Sequence, residues 1–445
     1  MIGYDKYEEL INDENNTIIL DANIFLELYR LSTNSSKDIL NLLCEIEHKV
    51  WIPKQVYEEY YNNKDVEKRK QHNKYKNIKI ELNVPIQKLE SDIKKKFYRY
   101  RKFHFPNVSN LENDYKNKVD ELRNMITEYM NTLDDEVKDN NKLLKEDKVE
   151  EYIEMIKDND KVGKGFDIVD KIKIVKEGET RYKYHIPPGY EDAKEKSGLR
   201  AFGDLFVWKE IIRYSSSNNG EIIFITNDEK PDWWEIENDK LIGPRKELIE
   251  EFKRYNNNKN IHFLTLRDFY SSTSKYYNVL SYITELELNA ERYVEEHLIK
   301  EVDEEITDTI AYHEYNYESY IDYSCNDSDV SYVDYEVKDV DFEVIEKEAV
   351  YYVTLEGIVN VSLSHKDEED DEYDMGSIEL KVLIELDIRK TIDVEKMELE
   401  EDTRVTVDSF QVIDYEYKDP FEEEAEAREL AEADMMDALE EYYRH

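Results

Sequence analysis

The sequence of 445 residues contains only two cysteines, Cys44 and Cys325, and they form no Cys-x-x-Cys pair. A disulfide framework and a thiolate zinc site are therefore excluded, and a reducing cytoplasm is the expected location. The first residues lack the charged and then apolar profile of a signal peptide, and no apolar run approaches the roughly 18 residues that a membrane span needs. The nine histidines show no metal-ligand spacing, and the glycines beside Lys164 form no phosphate-binding loop. We therefore expect a cytoplasmic protein without a membrane segment.

Basic residues are scarce in the C-terminal part of the chain. Residues 281–445 contain 53 acidic and 13 basic residues, a net charge of −40, whereas residues 1–280 contain 53 and 48, a net charge of −5. The acidic part would repel a polyanion at low salt, so it cannot coat nucleic acid, but the balanced part can still present a local basic surface. Because 40% of the residues are hydrophobic, the chain is expected to fold. We expect two domains, residues 1–276 and 277–445.

Short apolar runs alternate with amphipathic segments in the N-terminal domain. The predicted buried strands are residues 17–20, 49–53, 222–225 and 261–265, and the helices between them include residues 203–212 and 245–255. Strands that alternate with helices predict an α/β fold with a parallel sheet.

A long charged insertion is predicted between about residues 62 and 161. Apolar residues recur there at steps of three and four, which predicts long helices paired as a hairpin. Pro85 and the Phe105–Pro106 pair are predicted corners of this insertion. For the most polar piece, residues 134–148, a mobile charged arm is the alternative.

The C-terminal domain has a different pattern. A helix is predicted from residue 284 to about residue 307, and it leads into a segment rich in Tyr, Asp and Glu, residues 312–335. Three alternating stretches, residues 351–359, 378–388 and 404–417, predict antiparallel strands with one solvated face. The acidic run 366–374 is predicted to be a loop, and residues 422–443 are predicted to form a helix. We therefore expect an acidic α+β domain with an antiparallel sheet.

Four carboxylates lie at corresponding ends of elements in the sheet domain. They are Asp21, Glu59, Asp204 and Asp228. In a parallel α/β sheet such positions meet in one crevice, and carboxylates gathered there raise one another's pKa unless a cation lies among them. Oxygen ligands suit Mg²⁺ or Mn²⁺, so this grouping predicts metal-dependent hydrolysis of phosphodiesters. Each residue also has a structural explanation, as a helix cap, a solvated surface residue or a turn residue.

Several sequence blocks resemble the PIN-like nuclease domains of bacteria. The blocks are residues 19–23 (ILDAN), 51–60 (WIPKQVYEEY), 187–192 (PPGYED), 203–208 (GDLFVW), 224–234 (FITNDEKPDWW) and 243–245 (GPR). The resemblance covers residues 17–270, and the PPGY and DWW blocks make it specific. It implies a PIN fold, with a central parallel sheet between helices, and a Mg²⁺ or Mn²⁺ site that cleaves RNA or single-stranded and flap-like DNA.

The resemblance also implies roles for individual residues. The catalytic and metal-binding residues would be Asp21, Glu59, Asp204 and Asp228. Asn23 and Thr226 match polar residues that support metal ligands through hydrogen bonds. Asp192 and Asp232 lie in blocks typical of this subfamily and are candidates for lining the site, with a packing or turn role as the alternative.

Two groups of basic residues offer a surface for nucleic acid. The first group, within residues 94–104, comprises Lys94, Lys95, Lys96, Arg99, Arg101 and Lys102, with aromatic rings between them. The second group comprises Lys194, Lys196 and Arg200, close in sequence to Asp204. For the first group, a helix with a solvated basic face is the alternative.

The leading hypothesis is a metal-dependent nuclease, with RNA favoured over DNA as the substrate. A toxin or phage-defence role follows from the resemblance alone. The acidic C-terminal domain would serve regulation or assembly and would offer a surface to a protein partner. Homo-oligomers would form through the helical insertion or through the C-terminal sheet. A DNA flap or single-strand nuclease shares the predicted site, and a binding or scaffold protein that keeps the PIN-like fold without turnover is the alternative from another class.

Overall fold

The structure is a computed structural model. It describes residues 4–102, 107–145, 147–237, 240–274, 277, 281–304, 306–307, 327–366, 372–393 and 395–418. The predicted corner at Phe105–Pro106 and the predicted helix over residues 422–443 lie outside the described residues. The chain divides into two compact units, Met1–Ser281 and Tyr282–His445. Among the described residues, no helix combines the length and the apolar character that a membrane crossing requires.

A parallel sheet of four short strands forms the centre of the first unit. The strands are β1 (Thr17–Leu20), β2 (Val50–Trp51), β3 (Ile222–Ile225) and β6 (Ile261–Leu264), in the order β2-β1-β3-β6. β1 pairs in parallel with both β2 and β3, and β3 pairs in parallel with β6. The predicted α/β fold with a parallel sheet is confirmed.

The other elements of the first unit are mostly helical. They are α1 (Tyr4–Asn12), α2 (Ala22–Glu27), α3 (Thr33–Glu45), α4 (Lys54–Lys102), α5 (Val108–Lys145), α6 (Lys148–Asp158), α7 (Ile168–Lys183), α8 (Asp192–Glu195), α9 (Gly203–Ser216), the hairpin of β4 (Trp234–Glu237) and β5 (Lys240–Pro244), α10 (Lys246–Tyr255), α11 (Leu266–Thr273) and two short 3-10 helices (Glu47–Lys49 and Gly198–Phe202).

The strands of the first unit are apolar because they are buried on both faces. All four residues of β3 are buried, and so are Ile18, Ile19 and Leu20 of β1. Trp208 of α9 lies against Trp233 and Phe263, with ring centroids 6.3 and 6.4 Å away. Burial of each large apolar side chain contributes about 1.5–3 kcal/mol, so this packing holds α9 firmly against the sheet.

Two long helices form the predicted insertion. α4 contains 49 residues, and Pro85 lies inside it, so the predicted corner at Pro85 is wrong. An interior proline removes one hydrogen bond at a cost of about 3 kcal/mol, and the turns on both sides of Pro85 still form. α5 runs antiparallel to α4. The two helices contact each other at Phe97 and Tyr115 and through an ion pair of Glu90 with Arg123. α5 is helical up to Lys145, including most of the piece for which a mobile arm was the alternative.

The first turn of α4 is capped by a glutamate from α9. The carboxylate of buried Glu210 accepts hydrogen bonds from the backbone N–H groups of Lys54 and Gln55, at 2.9 and 3.0 Å. These bonds satisfy two of the backbone donors that a helix leaves unpaired at its N-terminus. The cap therefore fixes α4 relative to α9, the two helices that contain Glu59 and Asp204.

The second unit is a helix on a long antiparallel sheet. α12 (Tyr282–Tyr293) continues through a π-helical turn (Val294–Leu298) into α13 (Ile299–Glu301). The strands are β7 (Asp327–Ile345), β8 (Glu348–Lys366), β9 (Glu372–Asp393) and β10 (Glu398–Lys418), in the order β10-β9-β8-β7. The predicted antiparallel sheet is confirmed, and its inner face packs on Ala290, Val294 and Leu298.

The strands of the second unit are longer than predicted, and one was missed. β7 has no counterpart among the three predicted stretches, because register shifts after Val330 and after Val337 interrupt its alternation of apolar and polar residues. The predicted acidic loop is also shorter than expected, since residues 372–374 already belong to β9, and its residues 367–371 lie outside the described residues.

Candidate metal centre

Asp21 lies directly after β1 and caps α2. Its Oδ1 atom accepts a 2.7 Å hydrogen bond from the backbone N–H of Ala22, the first residue of α2. Its Oδ2 atom accepts hydrogen bonds from Thr226 Oγ1 at 2.8 Å and from Asn23 Nδ2 at 2.9 Å. Burial, followed by the negative charge of Glu59, raises the pKa of Asp21 to about 7, although the hydrogen bonds from Thr226 and Ala22 oppose the shift.

Thr226 joins the ends of β1 and β3. Its buried hydroxyl donates to Asp21 and accepts from Asn23 Nδ2 at 3.0 Å and from the backbone N–H of Asp228 at 3.1 Å. One donor and two acceptor positions are the full capacity of a hydroxyl group. Asn23 Oδ1 in turn accepts from the backbone N–H of Asn227 at 3.1 Å. This network therefore places Asp21 and Asp228 at the same edge of the sheet.

Asp204 projects from the first turn of α9. Its Oδ2 atom is inaccessible to solvent and has no hydrogen-bond partner among the residues that the structure describes. Burial, followed by the charges of Asp192, Asp228, Asp21 and Glu59, raises the pKa of Asp204 well above its ordinary value. A buried carboxylate oxygen without a donor is costly, so it needs either a proton or a cation.

Asp192 is the first residue of α8 and is buried. Its Oδ2 atom accepts a hydrogen bond from Lys196, and its Oδ1 atom accepts one from Lys230. Burial alone would raise the pKa of Asp192, but these two lysines lower it overall. Lys230 also donates to Asp228 Oδ2, at 3.2 Å.

The carboxylates form one group. One oxygen atom from each of Asp192, Asp204 and Asp228 lies within 4.8 Å of the other two. Burial raises the pKa of Glu59, Lys196 opposes this shift, and the charges of Asp192 and Asp228 add to it. The pKa values of Glu59 and Asp21 are therefore both raised by negative charges of the same group.

The residues of this group fit a hard divalent cation. All of the side-chain donors are carboxylate oxygens, which Mg²⁺ and Mn²⁺ prefer over sulfur and nitrogen ligands. The unpartnered oxygen of Asp204 lies beside two further carboxylates, and a cation there would relieve the repulsion that raises the pKa values of Asp21, Glu59 and Asp204.

Comparison with known families gives one match. The family model described as "PIN like domain" matches residues 17–248. The chain belongs to the PIN-like domain family. The match covers slightly more than half of the chain and includes the sheet edge from Asp21 to Asp228. No curated protein and no solved structure gives a significant match.

The predicted resemblance is thereby confirmed for the PIN-like domain, while the acidic second unit lies outside the match. PIN domains are metal-dependent nucleases, so the family indicates a nuclease that acts on nucleic acid. The acidic cluster found in the structure agrees with a metal-binding site in the PIN-like domain.

Asp232 holds a loop of the PIN-like domain. It is buried, and its Oδ2 atom accepts hydrogen bonds from the backbone N–H groups of Gly189 and Glu191, at 3.0 and 3.1 Å. Gly189 has a φ of +90°, and a Cβ atom there would lie 3.1 Å from Asp204 Cβ. The loop thus passes close to Asp204 and leads directly to Asp192, so the contacts of Asp232 are those of a residue that supports this loop.

The predicted basic residues of the PIN-like domain are distributed over several places. Lys196 lies in the acidic group, Lys194 forms an ion pair with Glu191, and Arg200 is exposed. Lys94, Lys95 and Lys96 are exposed on α4. The side chains of Arg99, Arg101 and Lys102 lie outside the described residues.

Sequence reasoning missed Lys230. It follows Asp228 by two residues in the FITNDEKPDWW block, and it donates to both Asp192 and Asp228. Its proximity to a predicted metal ligand at a strand end was the available signal, since residues that follow a parallel strand remain near the same sheet edge.

Proposed function

We propose that the protein is a metal-dependent endoribonuclease in which Asp21, Glu59, Asp204 and Asp228 hold Mg²⁺ or Mn²⁺. The observation that carries this proposal is the solvent-inaccessible oxygen of Asp204, which has no hydrogen-bond partner among the described residues and lies beside the carboxylates of Asp192 and Asp228. An ordinary surface cluster of acids would instead be hydrated.

The metal would supply Lewis-acid stabilisation of the charge that develops on the phosphate, and it would activate water as the nucleophile. The side chains of this chain hold the carboxylates in fixed positions for that purpose. Thr226 and Asn23 fix the carboxylate of Asp21, and packing of Trp208 against the sheet fixes the helix that carries Asp204. The cap by Glu210 fixes the first turn of α4, which leads to Glu59.

The family resemblance is compatible with RNA and with single-stranded or flap DNA as the substrate, and RNA is the substrate proposed. The test is incubation of the full-length protein with Mg²⁺ or Mn²⁺ and three labelled substrates, namely structured RNA, single-stranded DNA and flap DNA. We expect cleavage of RNA by the wild type, and a loss of at least 100-fold in rate for Asp204→Asn and for Asp21→Asn.

Asp158→Asn is the matched control, because Asp158 is an exposed residue at the end of α6. It should cleave as the wild type does. If the wild type cleaves only DNA, the protein is a deoxyribonuclease with the same site and not a ribonuclease. If the wild type cleaves no substrate with either metal, the nuclease proposal fails and a nucleic-acid-binding protein with a PIN-like fold takes its place.

A further inference from the structure

Two lysines lie among the carboxylates of the candidate metal centre. Lys196 donates to Asp192, and Lys230 donates to both Asp192 and Asp228. The side chains of Lys196 and Lys230 are 44% and 42% exposed, whereas that of Asp192 is only 8% exposed. Both lysine side chains are therefore partly exposed, whereas the carboxylate that accepts a hydrogen bond from each of them is buried.

Asp192 differs from Asp204 in how its oxygens are used. Each oxygen of Asp192 already accepts a hydrogen bond from a lysine, whereas the buried Oδ2 atom of Asp204 has no partner among the described residues. The hydrogen-bond partners of Asp192 are ammonium groups, whereas those of Asp21 are neutral donors, so Asp192 is suited to positioning cations. Its neighbour Asp204 is suited to binding a metal.

The proposed nuclease needs positive charge beside its carboxylates, and the two lysines provide it. A phosphodiester is an anion, and at this sheet edge it would approach the carboxylates of Asp21, Glu59, Asp192, Asp204 and Asp228. Each lysine ammonium has three donors, and the contacts with Asp192 and Asp228 use one donor of Lys196 and two of Lys230. The donors that remain can bind phosphate oxygens.

We propose that Lys196 and Lys230, positioned by Asp192, form a phosphate-binding site for the backbone of a single-stranded nucleic acid beside the metal centre. This lysine pair deepens the nuclease proposed above and rests on it for the nature of the ligand. Lys196 and Lys230 contact the substrate, and Asp192 acts through them as a positioning residue.

The test measures binding without cleavage. The full-length protein is titrated into a fluorescently labelled single-stranded RNA with Ca²⁺ in place of Mg²⁺, and the fluorescence anisotropy is followed at several salt concentrations. For Lys196→Met and for Lys230→Met we expect affinity to fall about tenfold, and the slope of log K against log salt concentration to decrease by about 0.7, as for the loss of one phosphate contact on a single strand.

Lys173→Met is the matched control. Lys173 is an exposed lysine on α7 that forms an ion pair with Asp170, so its replacement removes the same charge from another place. We expect its affinity and salt slope to equal those of the wild type. Lys230→Arg keeps the positive charge, so it should keep the salt slope of the wild type. This variant therefore separates the loss of a phosphate contact from a loss of folding.

Asp192→Asn tests whether Asp192 positions the lysine pair. If Asp192 positions the lysine pair, its replacement weakens binding of the RNA. If Asp192 only repels the phosphate, its replacement tightens binding, and the positioning role is overturned.

The failures of the two proposals are distinguishable. Lys196→Met and Lys230→Met proteins that bind RNA with the affinity and salt slope of the wild type would overturn the lysine pair, even where the wild type cleaves RNA. A wild type that binds RNA through the lysine pair but cleaves nothing would leave the pair in place and overturn only the nuclease.

Discussion

The hydroxyl of Thr226 donates a 2.8 Å hydrogen bond to the carboxylate of Asp21, a residue 205 positions earlier in the chain. The two residues follow neighbouring parallel strands, whose pairing places Leu20 beside Ile225. The same hydroxyl accepts the backbone N–H of Asp228. The geometry of the candidate metal centre is therefore tied to the register of β1 on β3.

Replacement of Thr226 tests this link. Thr226→Val keeps the shape of the side chain but leaves Asp21 and the backbone N–H of Asp228 without the hydroxyl. Since a buried group left without its hydrogen-bond partner costs about 1–3 kcal/mol, we expect a loss of that size in the free energy of unfolding and a large fall in cleavage rate. Urea denaturation and the RNA cleavage assay measure the two effects. Thr226→Ser keeps the hydroxyl and is the control, and equal behaviour of the two variants would contradict the assigned network.

The raised pKa of Asp21 predicts how stability depends on pH. The pKa of Asp21 is about 7 in the folded protein and about 3.8 when unperturbed. A raised folded pKa means that the folded state binds the proton more tightly, so this stabilisation is complete below about pH 4 and is lost as the pH rises through about 7. In the presence of a chelator, we expect the melting temperature to fall between pH 5 and pH 7.5.

Metal should reverse this loss of stability. At pH 7.5, Mn²⁺ at about 100 times its dissociation constant is expected to add about 2.7 kcal/mol to the free energy of unfolding. Asp204→Asn removes a carboxyl group that would bind the metal, so it should abolish the gain from Mn²⁺. Thermal melts of both proteins with and without Mn²⁺ measure these effects. An equal gain from Mn²⁺ in wild type and Asp204→Asn would remove Asp204 from the ligand set.

Gly163 is predicted to leave room for the carboxylate that caps the N-terminus of α4. A Cβ atom at this position would lie 2.7 Å from Glu210 Oε2 and 2.9 Å from Trp51 Cζ2. Gly163→Ala must therefore displace the carboxylate that caps α4, and we expect it to destabilise the protein by about 1–3 kcal/mol. Gly243→Ala is the matched control, because a Cβ atom there has no neighbour within 4 Å. Similar unfolding midpoints in urea for the two variants would show that the cap tolerates the added methyl group.

Asp232 is predicted to control the loop before α8. Asp232→Ala removes the acceptor of the N–H groups of Gly189 and Glu191, so both amides should exchange with solvent faster. Because this loop leads to Asp192, we also expect weaker RNA binding in the anisotropy assay. Hydrogen exchange followed by mass spectrometry over residues 187–192 measures the first effect. Unchanged exchange in this segment would mean that other contacts hold the loop.

Much of the fold could be predicted from local pattern. The strands β1, β3 and β6 are short apolar runs between helices, and this pattern is enough to predict a buried parallel sheet. Pro85 was misjudged because local propensity favours a break at proline, whereas α4 continues through it at the cost of one hydrogen bond. β7 was missed because its register shifts hide the alternation, and only its pairing with β8 defines it as a strand.

The sequence by itself determined the family, the parallel sheet and the carboxylates that follow its strands, because these depend on short runs of residues and on their order. Only the tertiary structure decided which acids lie together and which lysine binds them. The packing of α8 and α9 brings Asp192 within 4.8 Å of Asp204 and Asp228 and gives Lys230 two carboxylates to bind. The physical reason is that interactions among charges depend on distances and burial across the fold, which the spacing of residues along the chain does not contain.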